Sequence, residues 1–185
     1  MQILITGANG FIAKNLILRL HEKGFTQIDV FLRSDNLMRL QELVSRADCI
    51  FHLAGENRPN SPDEFEKNNV DLTQKLCEFI RETGRPIPLI FTSSAQANSD
   101  SAYGISKAKA EAALSDLAAS YQNPVTIYRL PGVFGKGCKP NYNSVVATFC
   151  HNIAHDLPIE VHDGSRVITL VYVDDVVEQM IGAID

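Results

Sequence analysis

Short apolar runs rich in β-branched residues alternate with longer stretches of helical periodicity along most of this chain. This alternation is typical of βαβ units, in which parallel strands are joined by helices that cover both faces of one sheet. We expect strands at 2–6, 27–32, 48–54, 88–93, 125–129 and 167–173. We expect helices at 11–23, 36–46, 63–83, 103–120, 144–155 and 175–184. The pattern therefore predicts an α/β fold, a doubly wound parallel sheet in three layers with a small substrate-binding extension.

The length of the chain limits it to one domain. A chain of 185 residues, 45% of them hydrophobic and 21% charged, can bury one sizeable core and is too short for two. We therefore interpret residues 1–185 as a single domain. Asp174 and Asp175 are expected to cap the last helix. Because the sequence stops within that helical stretch, we expect the natural chain to continue beyond Asp185.

The charge balance restricts the partners of this domain. The formal net charge is −5, which provides no basic surface for nucleic acid. The sequence contains no apolar run of membrane length and no leader with a charged and an apolar region. We expect a cytoplasmic protein with no nucleic-acid or membrane partner, in which any anionic ligand is held by a local group of donors.

Neither the cysteines nor the histidines have the spacing of a complete metal site. The four cysteines are far apart and form no CxxC pair, so we expect no disulfide framework and no metal. Cys49 and Cys77 lie in apolar runs and are expected in the core. His151 and His155 have helical metal-ligand spacing, but without a third ligand an exposed helix face is favoured. His52 lies in an apolar strand, where a hydrogen-bonded core histidine is expected.

A glycine pattern joins the first strand to the first helix. Gly7 allows a tight turn, Gly10 lets a ligand approach the backbone, and Ala13 lets the helix pack close to the strand. The N–H groups at the helix N-terminus would then bind a pyrophosphate. A glycine turn without a ligand is the alternative, but the position between a strand and an amphipathic helix favours a Rossmann-type dinucleotide site. The cofactor contacts expected in this loop come from Gly7, Asn9, Gly10, Phe11 and Ile12.

The end of the second strand bears on the choice of dinucleotide. An acidic residue at this place would bind the adenosine ribose hydroxyls of NAD, whereas an arginine suits the additional ribose phosphate of NADP. Arg33 and the Ser34 hydroxyl fit the second case, and they predict NADP(H) as the cofactor. A solvated arginine at a strand end is the alternative, and the neighbouring Asp35 weakens the prediction.

Tyr103 and Lys107 place a phenol and an ammonium four residues apart at the start of a helix, and therefore on one face. An ammonium at ~4 Å could lower the phenol pKa by up to ~3 units, into the range useful for proton transfer. Hydroxyl residues end the strand just before this helix, where ligands of an open parallel sheet gather. A chance YxxxK pattern is the alternative, but the preceding hydroxyl residues and the glycine loop favour a catalytic group.

Several segments occur in the order found in the extended short-chain dehydrogenase/reductases, and the sequence resembles that family. They are the glycine loop, DCIFHLAG (48–55), FTSSA (91–95), YGISK (103–107), RLPGVFG (129–135) and YVDD (172–175). The resemblance implies that Ser94 is the catalytic serine, that Tyr103 donates the proton, and that Lys107 binds the nicotinamide ribose. The further cofactor contacts that it implies are Leu53, Ala54, Gly55 and Leu130.

The segments 54–59 and 137–150 are most similar to family members that act in capsular polysaccharide synthesis. This similarity implies an NADPH-dependent reductase of a UDP-linked 4-keto-6-deoxy amino sugar, on the route to UDP-N-acetyl-L-fucosamine. It also implies that the natural chain continues into the rest of a substrate domain and a C-terminal cupin domain. Two alternatives stay open, a nucleotide-sugar epimerase or dehydratase and a noncatalytic NADP-binding regulatory protein.

The sequence also departs from the broad family. Only a short stretch separates Leu32 from Asp48, so the usual additional βα unit after the second strand is missing or vestigial. Gly132 and Ile168 stand where several sugar-nucleotide members carry an asparagine and a diphosphate-binding arginine. Arg166, two residues earlier on the same face of an extended strand, could replace that arginine.

The substrate is expected beyond the carboxyl ends of the strands. Cations there would contact a diphosphate, and polar side chains would contact the uracil or the sugar, although residues 139–143 could instead be a polar surface loop. The expected substrate contacts are Asn57, Arg58, Gln96, Lys139, Asn141, Tyr142, Asn143 and Arg166. The resemblance also implies a homodimer through the helices at 63–83 and 103–120.

Overall fold

The computed structural model describes residues 1–61, 63–161 and 163–184, and its framework is a parallel sheet of five strands. The strand order is β2-β1-β3-β4-β5, and a second sheet pairs β6 with β7, also in parallel. The strands are β1 (Ile3–Thr6), β2 (Ile28–Phe31), β3 (Cys49–His52), β4 (Leu89–Ser94), β5 (Val125–Leu130), β6 (Gly132–Phe134) and β7 (Leu170–Tyr172). Because β1 lies between β2 and β3, the strand order reverses there and leaves a crevice at the carboxyl ends of β1 and β3.

The helices lie close to the positions that the periodicity predicts. They are α1 (Phe11–Glu22), α2 (Leu37–Arg46), α3 (Asp63–Phe65), α4 (Leu72–Thr83), α5 (Ala102–Tyr121), α6 (Val145–Ala154) and α7 (Val173–Gly182). A π-helical turn over Glu66–Asp71 joins α3 to α4, and a 3₁₀ turn over Ala95–Asn98 follows β4. None of the helices in the described ranges is long and apolar enough to cross a membrane.

Helices cover both faces of the large sheet. On one face, apolar side chains of α2, α4 and α5, among them Leu43, Leu76 and Leu114, pack in one buried cluster. On the other face, α1 and α7 contribute Leu16 and Met180 to a second buried cluster. The predicted three-layer, doubly wound α/β fold is therefore confirmed. The core positions predicted for the cysteines of β3 and α4 are confirmed as well.

The connection from β2 to β3 contains α2 alone. β3 pairs with β1 rather than with β2, so the second strand is an edge of the sheet. The sequence prediction of a missing βα unit is thereby confirmed.

The end of the chain differs from the prediction. Only Leu170–Tyr172 of the expected strand 167–173 is paired, because its partner β6 is itself three residues long. Val167 is 92% exposed. The helix that follows begins at Val173, and no side chain caps it. Asp174 and Asp175 lie inside its first turn, where their negative charges interact favourably with the positive end of the helix dipole. They do not cap the helix, so that prediction was wrong.

His52 is a hydrogen-bonded core histidine, as the sequence predicts. It is fully buried in β3, with Nδ1 2.7 Å from the Thr6 hydroxyl and Nε2 2.8 Å from the Thr73 hydroxyl. Burial lowers its pKa to about 3, and the positive charge of Lys107 acts in the same direction. The ring is therefore neutral at physiological pH, and both of its nitrogen atoms have hydrogen-bond partners.

Candidate active site

The glycine turn brings the backbone after β1 against the backbone after β3. Gly7 has a φ of +71°, and a Cβ atom on it would lie 2.6 Å from the Ala54 nitrogen. Ala54 is held in place because its N–H donates to the Thr6 hydroxyl at 3.2 Å. A side chain at the first glycine would therefore force the two loops apart. This close approach is the feature that a dinucleotide-binding turn requires.

The N-terminus of α1 opens onto this turn. Gly10 is the N-cap residue, and no side chain caps the helix. The N–H groups of the first helical turn have no partner within a helix, and they can bind an anion together with the positive end of the helix dipole. Phe11 and Ile12 begin this turn with half-buried side chains that pack on the core, and Asn9 is exposed beside them. These residues fit a pyrophosphate.

Ser94 and Tyr103 lie where β4 ends and α5 begins, close enough for the serine hydroxyl to affect the pKa of the phenol. Ser94 is the last residue of β4, and its hydroxyl also accepts the Gln96 N–H at 3.1 Å. The N-terminus of α5 packs directly on the 3₁₀ turn, since a Cβ atom on Gly104 would clash with the Gln96 carbonyl and lie 2.7 Å from the Ser99 carbonyl oxygen. There is therefore no room for a side chain on Gly104 at this contact.

The pKa of Tyr103 is shifted opposite to the sequence prediction. Burial raises the pKa of the phenol, and its interaction with the Ser94 hydroxyl opposes the rise only partly. Lys107 does not lower that pKa, because its ammonium points elsewhere. It donates to the Thr92 carbonyl at 3.0 Å and lies 4.8 Å from the centre of the Phe91 ring. The predicted lowering of the phenol pKa by the neighbouring lysine was therefore wrong.

The loop after β3 is fixed next to the lysine. A Cβ atom on Gly55 would lie 3.1 Å from Lys107 Nζ and 3.2 Å from Asn69 Oδ1. Asn69 is buried in the π-helical turn and accepts the Glu56 N–H at 2.7 Å. Its amide also donates to the Glu56 carbonyl at 3.0 Å and to the Ser106 hydroxyl at 2.9 Å. Asn69 could not be predicted as part of the site, because helical periodicity alone does not reveal a π turn.

Glu111, one turn after Lys107 on α5, is a second residue that was not predicted as part of the site. Glu111 is 8% exposed, and its carboxylate accepts hydrogen bonds from the Ser93 hydroxyl and from the Arg129 guanidinium, Nη2 at 2.6 Å. Burial alone would raise the pKa of this carboxyl, but the bonds from Arg129 and Ser93 outweigh burial and lower it. The signal in the sequence is that Glu111 follows Lys107 by four residues on the same face of α5.

Arg33 lies at the end of β2 and is paired with two glutamates. Its guanidinium is 3.0 Å from the Glu56 carboxylate and 3.4 Å from that of Glu64, while its side chain is 69% exposed. Ser34 is exposed, and the Asp35 carboxylate accepts the Leu32 N–H at 2.8 Å. An arginine is therefore present at the edge of the crevice, but its positive charge is already balanced by carboxylates.

Three of the predicted substrate residues contact one another. The Tyr142 hydroxyl donates to Asn57 Oδ1 at 3.0 Å. The Arg58 guanidinium lies 4.7 Å from the centre of the Tyr142 ring and donates to the Tyr142 carbonyl. Asn141, with a φ of +54°, turns the chain just before the tyrosine. The loops after β3 and before α6 are thus joined.

The remaining predicted residues differ in how closely they approach this region. Leu130 ends β5 in register with Ser94, and Leu53 follows β3, so both lie at the carboxyl edge of the sheet. Lys139 and Asn143 have exposed side chains, as does Gln96.

Arg166 lies in exposed coil before β7. The prediction that Arg166 and Ile168 share one face of a strand was wrong, since neither residue is in a strand.

His151 and His155 lie along and just after α6. Their ring centres are 4.2 Å apart, and His155 Nδ1 is 2.8 Å from the His151 carbonyl oxygen. His155 is exposed and His151 half-buried, which agrees with the predicted surface face of a helix.

A glycine turn at the N-terminus of α1 and a serine, a tyrosine and a lysine at the carboxyl edge of a parallel sheet define a dinucleotide-binding protein of the short-chain dehydrogenase/reductase class. The family model described as the NAD dependent epimerase/dehydratase family matches residues 3–185, and the chain belongs to this family. The resemblance to the extended dehydrogenase/reductases is thereby confirmed.

Relatives of known identity cover the whole chain. A UDP-2-acetamido-2,6-beta-L-arabino-hexul-4-ose reductase of Pseudomonas aeruginosa is 51% identical over 185 residues, which are 100% of this chain and 50% of that protein. The crystal structure of the capsular polysaccharide assembling protein CapF from Staphylococcus aureus has a TM-score of 0.88 and 42% identity, again over 100% of this chain and 50% of that one. The chain spans about half the length of these relatives.

A more distant structure confirms the fold alone. A UDP-glucuronic acid 4-epimerase from Bacillus cereus in complex with NAD has a TM-score of 0.83 and 20% identity, over 99% of this chain and 73% of that one.

The tight packing of α5 on the 3₁₀ turn leads to a first prediction. Gly104→Ala should lower the free energy of unfolding by about 1–3 kcal/mol, because the new methyl group must displace the Gln96 carbonyl. Urea unfolding measures this change. Gly182→Ala, in a helix where nothing lies within 4 Å of the added atom, is the matched control and should leave stability unchanged or slightly raised. Equal stability of both variants would show that α5 does not approach the turn so closely.

Proposed function

We propose that this chain is the cofactor-binding part of an NADPH-dependent reductase that acts on a UDP-linked 4-keto-6-deoxy amino sugar. The observation that carries the proposal is the meeting of Ser94 and Tyr103 at the carboxyl end of β4, with Lys107 one turn further along α5. The reductase from P. aeruginosa supports this substrate class, and the capsular polysaccharide assembling protein from S. aureus supports a place in surface polysaccharide synthesis. The route to UDP-N-acetyl-L-fucosamine is proposed from the sequence resemblance.

The proposed roles follow from the environment of each group. The nicotinamide, when bound, supplies the hydride to the carbonyl carbon of the sugar. Tyr103 gives its proton to the carbonyl oxygen, and the burial that raises its pKa keeps the phenol protonated and ready to donate. Ser94 donates a hydrogen bond that orients the same oxygen. Lys107 binds the nicotinamide ribose, and the glycine turn holds the pyrophosphate on α1.

The substrate pocket is proposed at the open end of the crevice. Asn57, Arg58 and Tyr142 form one connected group there, and they suit contacts to a diphosphate and to sugar hydroxyls. Lys139 and Asn143 are exposed in the loop that Asn141 shapes, and Gln96 is exposed in the 3₁₀ turn after β4. Arg166 is proposed as a further contact to the diphosphate because of its positive charge.

The four cysteines are free thiols, which fits the reducing cytoplasm.

Removal of the phenol tests the chemistry. Tyr103→Phe should reduce NADPH oxidation with the UDP-keto sugar by at least about 10²-fold and leave the Kd for NADPH nearly unchanged, because the phenol acts in the transition state. The loss of NADPH absorbance measures the rate of oxidation, and calorimetry measures the Kd. Both measurements should use the full-length protein.

Tyr121→Phe, at the other end of α5 and 51% exposed, is the matched control and should retain full activity. Substantial turnover by Tyr103→Phe would contradict the assignment. Conversion of the sugar without net NADPH consumption would instead identify an epimerase.

Arg33 is proposed to select NADPH. A charge-assisted hydrogen bond to the ribose phosphate is worth about 1.5–3 kcal/mol, which corresponds to roughly ten- to hundredfold preference over NADH. Arg33→Ala should remove most of this preference, measured as the ratio of the two Kd values. Arg46 ends α2 and is paired with Asp29 at 2.8 Å. Arg46→Ala is therefore the control and should leave the ratio of the two Kd values unchanged. Equal affinities of the unmodified protein for NADPH and NADH would refute the role.

A homodimer is proposed through α4 and α5. α5 is rich in alanine, which allows two helices to approach closely, and α4 lies beside it. Sedimentation at tens of micromolar should therefore give twice the mass of one chain. Substitution of Ala112 by Arg on α5 should shift the mass toward the monomer, and a monomeric mass of the unmodified protein would contradict the proposal.

A further inference from the structure

We propose that Glu111 and Arg129 form a positioning pair that keeps the Lys107 side chain positively charged while leaving its N–H donors available for a ligand. The inference rests on the proposed function in one respect, namely that Lys107 binds the cofactor ribose. Neither member of the pair needs to touch the cofactor or the sugar. Glu111 acts on the lysine through its charge, and Arg129 acts through Glu111.

Among the residues that the structure describes, Glu111 is the group near Lys107 that can compensate its charge. Lys107 is 5% exposed, and the neutral groups around its ammonium come from β3, the following loop, the π turn and β4. These groups are His52, Gly55, Asn69, Phe91 and the Thr92 carbonyl. Glu111 carries the opposite charge one helical turn away on the same face of α5. The Glu111 carboxylate is in turn contacted by the charged guanidinium of Arg129.

The lysine needs such compensation. Burial lowers its pKa to about 8, and the negative charge of Glu111 opposes this effect. A lysine whose pKa lies near the working pH loses its charge easily, and the neutral amine binds ribose oxygens far less well. With the carboxylate present, the lysine stays mainly protonated at neutral pH.

A direct ion pair between the two residues would defeat this purpose, and Arg129 prevents it. Arg129 Nε lies 3.0 Å from Glu111 Oε1, and Nη2 lies 2.6 Å from Oε2, a bidentate arrangement. The Ser93 hydroxyl donates to Oε1 as well. Both carboxylate oxygens are therefore engaged by other donors, while the Lys107 ammonium donates to the Thr92 carbonyl instead. The negative charge of Glu111 therefore acts on the ammonium at a distance, without a hydrogen bond that would use its N–H groups.

Removing each partner should shift the titration of Lys107 in opposite directions. In Glu111→Gln the pKa of Lys107 should fall by about one pH unit, because the countercharge is lost and the shape is kept. In Arg129→Met it should rise by a similar amount, because a positive charge is removed and Glu111 can turn toward the ammonium. Arg129→Lys, which keeps the charge, should shift it much less.

The titration is followed by NMR on protein labelled with ¹³C in its lysines, with Lys107→Met to identify the signal. Asp116→Asn, on the same helix and remote from the lysine, is the control for removal of one negative charge and should leave the signal in place. Arg129 is half-exposed, so its variants are expected to fold. An unchanged titration in Glu111→Gln, or shifts of the same sign in the Glu111 and Arg129→Met variants, would overturn the proposal.

The affinity for NADPH gives a second readout that a purely structural role would not move. In the unmodified protein the affinity should weaken as the pH rises through about 8, because the ammonium loses its proton there. In Glu111→Gln the weakening should begin about one pH unit lower, in step with the NMR titration. If the unmodified protein binds NADPH and reduces none of the UDP-keto sugars, the reductase proposal fails, while the NMR titration still decides whether the pair controls the lysine.

Discussion

The contact between the Gly7 turn and the backbone of Leu53 and Ala54 is the constraint on which the geometry of the crevice depends. It holds the carboxyl ends of β1 and β3 together, and it is possible only because the first glycine has no side chain. The hydroxyl of Thr6 serves this contact twice, since it accepts the Ala54 N–H and lies against the buried His52 ring. The loop that follows β3 therefore begins from a fixed point, and Gly55 reaches Lys107 from it. The glycine turn and the lysine are parts of one packed unit.

The sheet and most helices could be predicted from the sequence because their residues repeat with clear periods. The strands β1, β3 and β4 are buried on both faces and read as continuous apolar runs, and α1, α2 and α4 have apolar residues at helical spacing. The β6–β7 pair could not be predicted, because a strand of three residues has no detectable period. For the same reason the strand predicted at 167–173 is longer than the observed strand, which spans Leu170–Tyr172.

For the candidate site, the sequence offered residues and motifs, whereas most of the interactions between them depend on the tertiary fold. The serine, the tyrosine and the lysine come from short motifs, and the structure brings the first two together. The direction in which the ammonium points is decided by the Thr92 carbonyl and the Phe91 ring, which a motif does not contain. Glu111 and Arg129 lie on different elements, and their pairing follows from the way α5 crosses the strand β5. Arg33 was predicted as a cation, but its pairing with Glu56 and Glu64 depends on the tertiary fold.

The π-helical turn over Glu66–Asp71 also determines which changes in chain length this region tolerates. Its widened turn is closed by the bond from the Leu72 N–H to the Lys67 carbonyl, five residues back. Removal of one residue would close the widened turn into an ordinary helical turn, which would leave the helices on either side nearly in place but displace the residues within the turn. Asn69 would then leave Glu56 and Ser106, and the loop that faces the lysine would lose its anchor. Between α3 and α4 a deletion of a single codon should therefore be as damaging as the loss of a catalytic side chain, although it removes none.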